Sequence, residues 1–201
     1  MGSQYSDDKF SQKARREGYR SRAAYKLKEI LKKHSVIRQD DNVVDLGAAP
    51  GSWLQVLSEI TSGILIGIDL NSITPIPGVT TIVGDFTEPA IIAEVQKISP
   101  IINIIVCDAS PKLSGHKSYD QARAVALNEG TLTFASSVLK PGGNMIMKSF
   151  QGEDFSEMLN EVKRYFYSVK TFKTKSSRKG STEIYIIAKN FIGDWVGNGS
   201  V

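Results

Sequence analysis

The stretch Asp45-Leu-Gly-Ala-Ala-Pro-Gly-Ser-Trp53, DLGAAPGSW, follows Val43-Val44 and leads into Leu54-Gln55-Val56-Leu57. An extended apolar segment stops, turns on two glycines and resumes with helical spacing. Strand, glycine turn and helix in that order form the opening unit of an alternating α/β chain. Gly47 and Gly51 carry no Cβ, so the backbone there can approach a ligand closely. Pro50 stiffens the loop, and the helix start after it offers unpaired N–H groups.

The alternation continues outward from this turn. Strands are expected near 42–46, 64–69, 79–83, 101–107 and 144–149, and helices near 52–61, 88–98, 119–139 and 154–165. A further helix is expected over 21–34, where Ala23, Leu27, Ile30 and Leu31 share one face. Pro141-Gly142-Gly143 punctuates the end of the long fourth helix. Near-continuous apolar strands between helices imply a parallel sheet covered on both faces. The end differs: a strand over 169–174, a polar turn, then Glu183 to Ala188. The turn Lys175 to Ser181 has seven residues, too few for a parallel crossover, which needs about a dozen. The last strand should therefore run antiparallel. The fold class expected is α/β: a Rossmann-like sheet of seven strands, mostly parallel, with helices on both faces.

A chain of 201 residues suits one domain. The expected division is a single domain over 1–190, with a basic arm over about 1–38 and a tail over 191–201 that carries Trp195. No apolar run approaches the roughly 20 residues that span a bilayer. The N-terminus is polar, unlike a secretory signal. Cys107 is the single cysteine, so an internal disulfide is excluded and a cytoplasmic location is expected. Charge is segregated. Residues 1–38 and residues 163–180 each carry a net +7, on a chain of net +4, leaving −10 for the rest. Two basic segments on an acidic body suggest a polyanion partner.

In open α/β sheets ligands bind beyond the carboxyl ends of the strands. The turn lacks the G-x-G-x-x-G pattern that seats a pyrophosphate, which disfavours a dinucleotide dehydrogenase. The next two strands end in Asp69 and Asp85, acids placed for ribose hydroxyls and an adenine amino group. An adenosine without phosphates fits this set, which points to S-adenosyl-L-methionine. Asp108 and Lys148 end the fourth and fifth strands, and an antiparallel last strand brings Glu183 to the same end. Lys26 lies about 60° from Ala23 and about 40° from Ile30 around its helix, beside the apolar stripe, where geometry alone favours a snorkelling lysine. His34 and His116 lie in no Cys/His/acid cluster, so no metal is expected.

Arg20-Ser-Arg-Ala-Ala-Tyr-Lys-Leu27, DLGAAPGSW, Asp108-Ala-Ser-Pro111, Lys148-Ser-Phe150 and Ser181-Thr-Glu-Ile-Tyr-Ile186 together resemble the FtsJ/RrmJ (RlmE) ribosomal RNA 2′-O-methyltransferases. The resemblance runs from about residue 9 to 189, in the family's order. It implies a catalytic tetrad of Lys26, Asp108, Lys148 and Glu183, and cofactor contacts at Gly51, Trp53, Asp69, Asp85 and Asp108. It also implies methylation of a uridine ribose in large-subunit ribosomal RNA. Asp108-Ala-Ser-Pro-Lys112 departs from the expected Asp-Met-Ala-Pro. Lys148 would accept the 2′-hydroxyl proton or, staying charged, orient the oxygen. The basic segments, with Lys9, Lys13, Arg15, Arg16, Arg20 and Arg22 on one and Lys170, Lys173, Lys175, Arg178 and Lys179 on the other, would follow RNA phosphates. Partners expected are ribosomal RNA or the large ribosomal subunit, with no membrane and a monomeric enzyme. Transfer RNA methylation and non-catalytic RNA binding in ribosome assembly are the alternatives.

Overall fold

The structure, a computed structural model, describes residues 9–111, 114–178 and 180–193. Lys179 and Trp195 lie outside them. The elements in chain order are α1 (Lys9–Arg16), α2 (Ala23–Lys33), β1 (Val43–Leu46), α3 (Ser52–Ser58), β2 (Leu65–Asp69), β3 (Val79–Val83), α4 (Pro89–Ile98), β4 (Ile102–Cys107), α5 (Lys117–Val138), β5 (Leu139–Phe150), α6 (Phe155–Tyr165), β6 (Phe166–Phe172) and β7 (Glu183–Phe191).

The seven strands form one sheet in the order β3-β2-β1-β4-β5-β7-β6. The first five are parallel, and β7 inserts antiparallel between β5 and β6. The strand order reverses between β1 and β4, which is where such sheets open a crevice. The period-2 alternation of strand side chains divides the core in two. Val44, Leu46, Ile105, Met145 and Met147 pack with α4, α5 and α6. Val43, Ile104, Val106, Ile146 and Tyr185 pack with α2 and α3. Asp45 and Lys148 fall on the parity of the second face.

Among the differences from the sequence reading, which include the unexpected α1 and an α3 that ends at Ser58, three boundaries have a clear physical cause. Leu139 leaves α5 and pairs with Ile102, and the register breaks before Ile104 pairs with Asn144. Pro141-Gly142-Gly143 is thus an excursion inside β5, because proline has no N–H to give to the ladder and Gly142 takes φ +78°. β6 starts at Phe166, straight after α6, because that ring is buried against Phe191 at 5.3 Å between centroids. Phe191 itself, expected to begin the tail, ends β7 and is 4% exposed. No helix among the described residues is long and apolar enough to cross a membrane.

Candidate active site

The glycine turn is set by its own sterics. Gly47 has φ +70°, and a Cβ there would lie 2.5 Å from the Cβ of Ala109. Its N–H and that of Ala48 both donate to the Ile68 carbonyl, at 2.9 and 3.1 Å. Gly51 has φ +103°, and its missing Cβ makes room for the Arg20 guanidinium, Ile73 and Ile76. Arg20 clamps the loop by donating to the carbonyls of Pro50 at 2.8 Å and Pro75 at 3.1 Å. Both glycines therefore answer to protein neighbours as well as to any ligand. Gly47→Ala should destabilise the fold by about 1–3 kcal/mol from backbone strain alone. It should also displace Asp108, next in chain to Ala109. Urea denaturation and an activity assay would check both, and an unchanged midpoint would contradict the steric reading.

Trp53 is 3% exposed and stacks near Tyr185, with ring centroids 5.9 Å apart. Its indole N–H donates to the Ala23 carbonyl at 2.9 Å, fastening α2 over α3. Asp69 accepts from the N–H of Ala49 at 3.0 Å and from the N–H and side-chain amide of Asn71. Asp85 accepts from the N–H and hydroxyl of Thr87. Each acid shapes the loop after its strand, half-buried at the crevice.

Asp45 is the residue that sequence reasoning passed over. It is 1% exposed, and neither carboxylate oxygen has a hydrogen-bond partner among the described residues. Burial pushes its carboxyl well above the usual range, and the charges of Asp108 and Asp69 add to this. It lines a narrow cavity of about 20 Å³ together with Gly47, Ala49, Ser52, Trp53 and Asp108. A phosphate would be repelled by the two acids so placed, Asp45 and Asp108, whereas a ligand carrying positive charge and hydroxyls would be held. S-adenosyl-L-methionine, with a sulfonium, an ammonium and a ribose, fits that donor set. An unpaired carboxylate run on into an apolar strand end was the available signal, and it reads equally as a turn residue.

Beyond this cavity four strand-end and helix residues meet. Lys26 Nζ lies 2.8 and 2.9 Å from the two carboxylate oxygens of Glu183 and 3.8 Å from Asp108 Oδ1. Lys148 Nζ lies 3.4 Å from that same Oδ1 and donates to the Asp108 carbonyl oxygen at 2.5 Å. Lys26, expected on helix geometry to snorkel outward, is turned inward because Glu183 waits across the cleft. Two cations and two anions balance, and an amine close to solvent-free, with Lys148 only 6% exposed, is held by fixed acceptors.

Tyr185 organises the cluster from below. Its hydroxyl lies 2.7 Å from Asp108 Oδ1 and 3.0 Å from Glu183 Oε1, so its single proton bridges the two carboxylates. Burial and then the charges of Asp108 and Glu183 push the phenol well above its ordinary value, keeping it a donor. The sequence signal was its place two residues after Glu183, which puts both on one face of a strand. Ser177 also donates to Glu183, at 2.7 Å. Burial raises the Glu183 carboxyl, but the charge and hydrogen bond of Lys26, the Ser177 bond and the charge of Lys148 outweigh it and leave it below the usual range. The turn carrying Ser177 is tied to α2, because Glu29 accepts from the N–H groups of Lys175 at 2.6 Å and Ser176 at 2.9 Å, and Arg22 donates to the Ser176 carbonyl. On the α5 and α6 side, a cavity of about 300 Å³ opens beside Phe150, whose ring centroid is 6.0 Å from Lys148 Nζ.

Residues 19–191 match the model of the FtsJ-like methyltransferase family. The chain belongs to this family. Among relatives of this FtsJ-like methyltransferase is the ribosomal RNA large subunit methyltransferase E of Methanospirillum hungatei, 65% identical over 193 residues, covering 96% of this chain and 93% of the relative. A candidate ribosomal RNA methyltransferase of Plasmodium falciparum, known as a crystal structure, is 32% identical with TM-score 0.79, covering 87% of this chain and all of that one (100%). A Streptococcus mutans protein described as a candidate methyltransferase and solved with SAH shares the fold, at 12% identity and TM-score 0.51, covering 78% of this chain and 90% of that one.

Proposed function

We propose that this FtsJ-like methyltransferase uses S-adenosyl-L-methionine to methylate the 2′-hydroxyl of a uridine ribose in large-subunit ribosomal RNA. The observation that carries the reading is the meeting of Lys26, Asp108, Lys148 and Glu183 beside a cavity walled by Asp45 and Asp108. When bound, the cofactor supplies an electrophilic methyl group on sulfur. Asp45, Asp69 and Asp85 would hold it, with the 45–53 turn as the floor.

The chain's own part is to present a hydroxyl in line with that methyl and to manage its proton. The Lys148 amine is the group placed for this. In the neutral form it takes the proton from the 2′-oxygen, and as an ammonium it steadies the negative charge growing there. Asp108, through its carbonyl and carboxylate, fixes where the amine sits. Lys26 and Glu183, joined to each other, stand across the cleft to orient the ribose, and Tyr185 keeps both acids from drifting. The cavity beside Phe150 offers room for the nucleotide's base next to the reacting sugar. Alignment of this kind contributes up to roughly 7–11 kcal/mol to such reactions.

The basic segments fit a nucleic-acid substrate. Lys13, Arg15 and Arg16 lie in the last turn of α1, and Lys170, Lys173, Lys175 and Arg178 run from β6 into the turn before Glu183. RNA affinity should therefore fall steeply with salt, with a slope of about −0.7 to −0.9 per phosphate engaged. A flat response in filter binding between low and moderate salt would count against RNA as the substrate. The decisive experiment offers labelled S-adenosyl-L-methionine with large ribosomal subunits, free ribosomal RNA and transfer RNA, then maps the modified ribose. Label appearing only in transfer RNA would redirect the assignment.

A further inference from the structure

At the end of the sheet away from Lys148, a separate cavity of about 260 Å³ is lined by Arg38, Asp41, Asn103, Lys140, Asn144 and Lys189, among others. It is built where β4 and β5 begin and β7 ends. Its floor is rigid: Asn144 donates to the Val36 carbonyl at 2.7 Å and accepts from the Asn190 N–H at 3.1 Å. Asn103 Oδ1 accepts from the Asn42 N–H at 3.1 Å, leaving its Nδ2 as a donor. The excursion in β5, with Gly142 at φ +78°, sets Lys140 on the rim. Among the described residues, Arg38, Lys140 and Lys189 have no carboxylate within ion-pairing distance. The one acid in the wall, Asp41, is 6% exposed and accepts from the Arg38 N–H at 2.7 Å. Three cations without an ion-pair partner against one acid leave the polar hollow net positive, which makes it an anion site.

The hollow is not isolated. His34 packs on Phe172 with centroids 5.4 Å apart, and it lies within the field of both Lys170 and Lys189. Basic side chains therefore continue from the hollow, through Lys189 and Lys170, to Lys173 and Lys175 near Glu183. Along β5, Asn144 and Lys148 are four residues apart, about 13 Å at roughly 3.3 Å per residue. Along β7, Glu183 and Lys189 are six residues apart, about 20 Å on the same basis. Those spans are shorter than one turn of a nucleic-acid duplex, about 34 Å.

We propose that this hollow binds phosphodiester groups of the RNA substrate at nucleotides removed from the one that is methylated. The assignment rests on the RNA-methylation reading above, and it makes the enzyme clasp its RNA at both ends of the sheet. A small anion alone would not need a site open to a continuous basic strip.

The test compares wild type with K140E/K189E and with the milder K140Q/K189Q, neither touching the catalytic cluster. Methyl transfer is measured on large subunits and on a short oligonucleotide carrying only the target region. RNA binding is measured against salt, cofactor affinity by calorimetry, and inorganic phosphate binding separately. The expected result is a KM for subunits raised about tenfold in K140E/K189E and less in K140Q/K189Q. The salt slope should shrink by about 1.4–1.8 from two lost phosphate contacts. Values of kcat, cofactor affinity and oligonucleotide KM should match wild type. An unchanged subunit KM and salt slope would overturn the proposal. So would phosphate binding that is lost in the variants while RNA binding stays intact, since the site would then serve a small anion. If wild type methylates no RNA, the functional reading fails by itself, while a salt slope reduced in the variants would still support the RNA-phosphate site.

Discussion

Lys148→Ala is expected to lower kcat for methyl transfer by about 10²–10⁴-fold, the usual contribution of a positioned proton acceptor, while cofactor affinity changes less than about threefold. The separation follows from geometry. Lys148 Nζ is held by Asp108, whereas the small cavity is lined by Asp45, Gly47, Ala49, Ser52, Trp53 and Asp108, without Lys148. Losing the amine leaves two carboxylates facing the single cation of Lys26, but Tyr185 still bridges them, so the cleft should keep its shape. Stopped turnover with intact calorimetric binding is the expected signature. Turnover near the wild-type rate would remove Lys148 from the reaction. Tyr185→Phe serves as the companion: it removes a donor from buried Glu183 and half-buried Asp108 and should cost about 1–3 kcal/mol of stability with a smaller loss of kcat.

Much of this arrangement was legible beforehand, and the reason is periodicity. Alternating apolar strands and helices predict a parallel sheet, and a turn of seven residues before Glu183 forces β7 to run the other way. Once that direction is known, Asp108, Lys148 and Glu183 must share an end. What the pattern could not carry was contact across the fold. Lys26 sits beside an apolar stripe in any helical projection, and only the position of Glu183, 157 residues later, decides that it turns inward. Tyr185 reads as an ordinary strand aromatic until two acids are found above its hydroxyl. The 140–143 excursion and the start of β6 at Phe166 were missed because proline, glycine and a strand abutting a helix give local signals for a break, while ladder pairing with Ile102 and the Phe191 ring decided otherwise.

Asp45→Asn should weaken the cofactor and strengthen the protein without it. A charge-assisted contact to a cationic ligand is worth about 1.5–3 kcal/mol, or roughly 10–150-fold in affinity, and the amide cannot supply it. The stability effect has a definite sign. Burial holds the Asp45 carboxyl well above its ordinary value of 3.8, with Asp108 and Asp69 adding to the shift. Below that ordinary value folded and unfolded chains are both protonated at this residue. Between it and the raised folded value, the folded chain keeps a proton that the unfolded chain has released. Stability then falls as pH rises, by up to about 1.4 kcal/mol per pH unit, and levels off above the folded value. Glu183, held below its ordinary value, contributes the opposite trend, but it is common to both proteins and cancels in their difference. Urea denaturation without cofactor, from pH 4.5 to 8, should show the variant gaining on wild type as pH rises. A difference that stays flat across that range would mean that Asp45 ionises freely in the fold and that burial does not hold its carboxyl above the ordinary value.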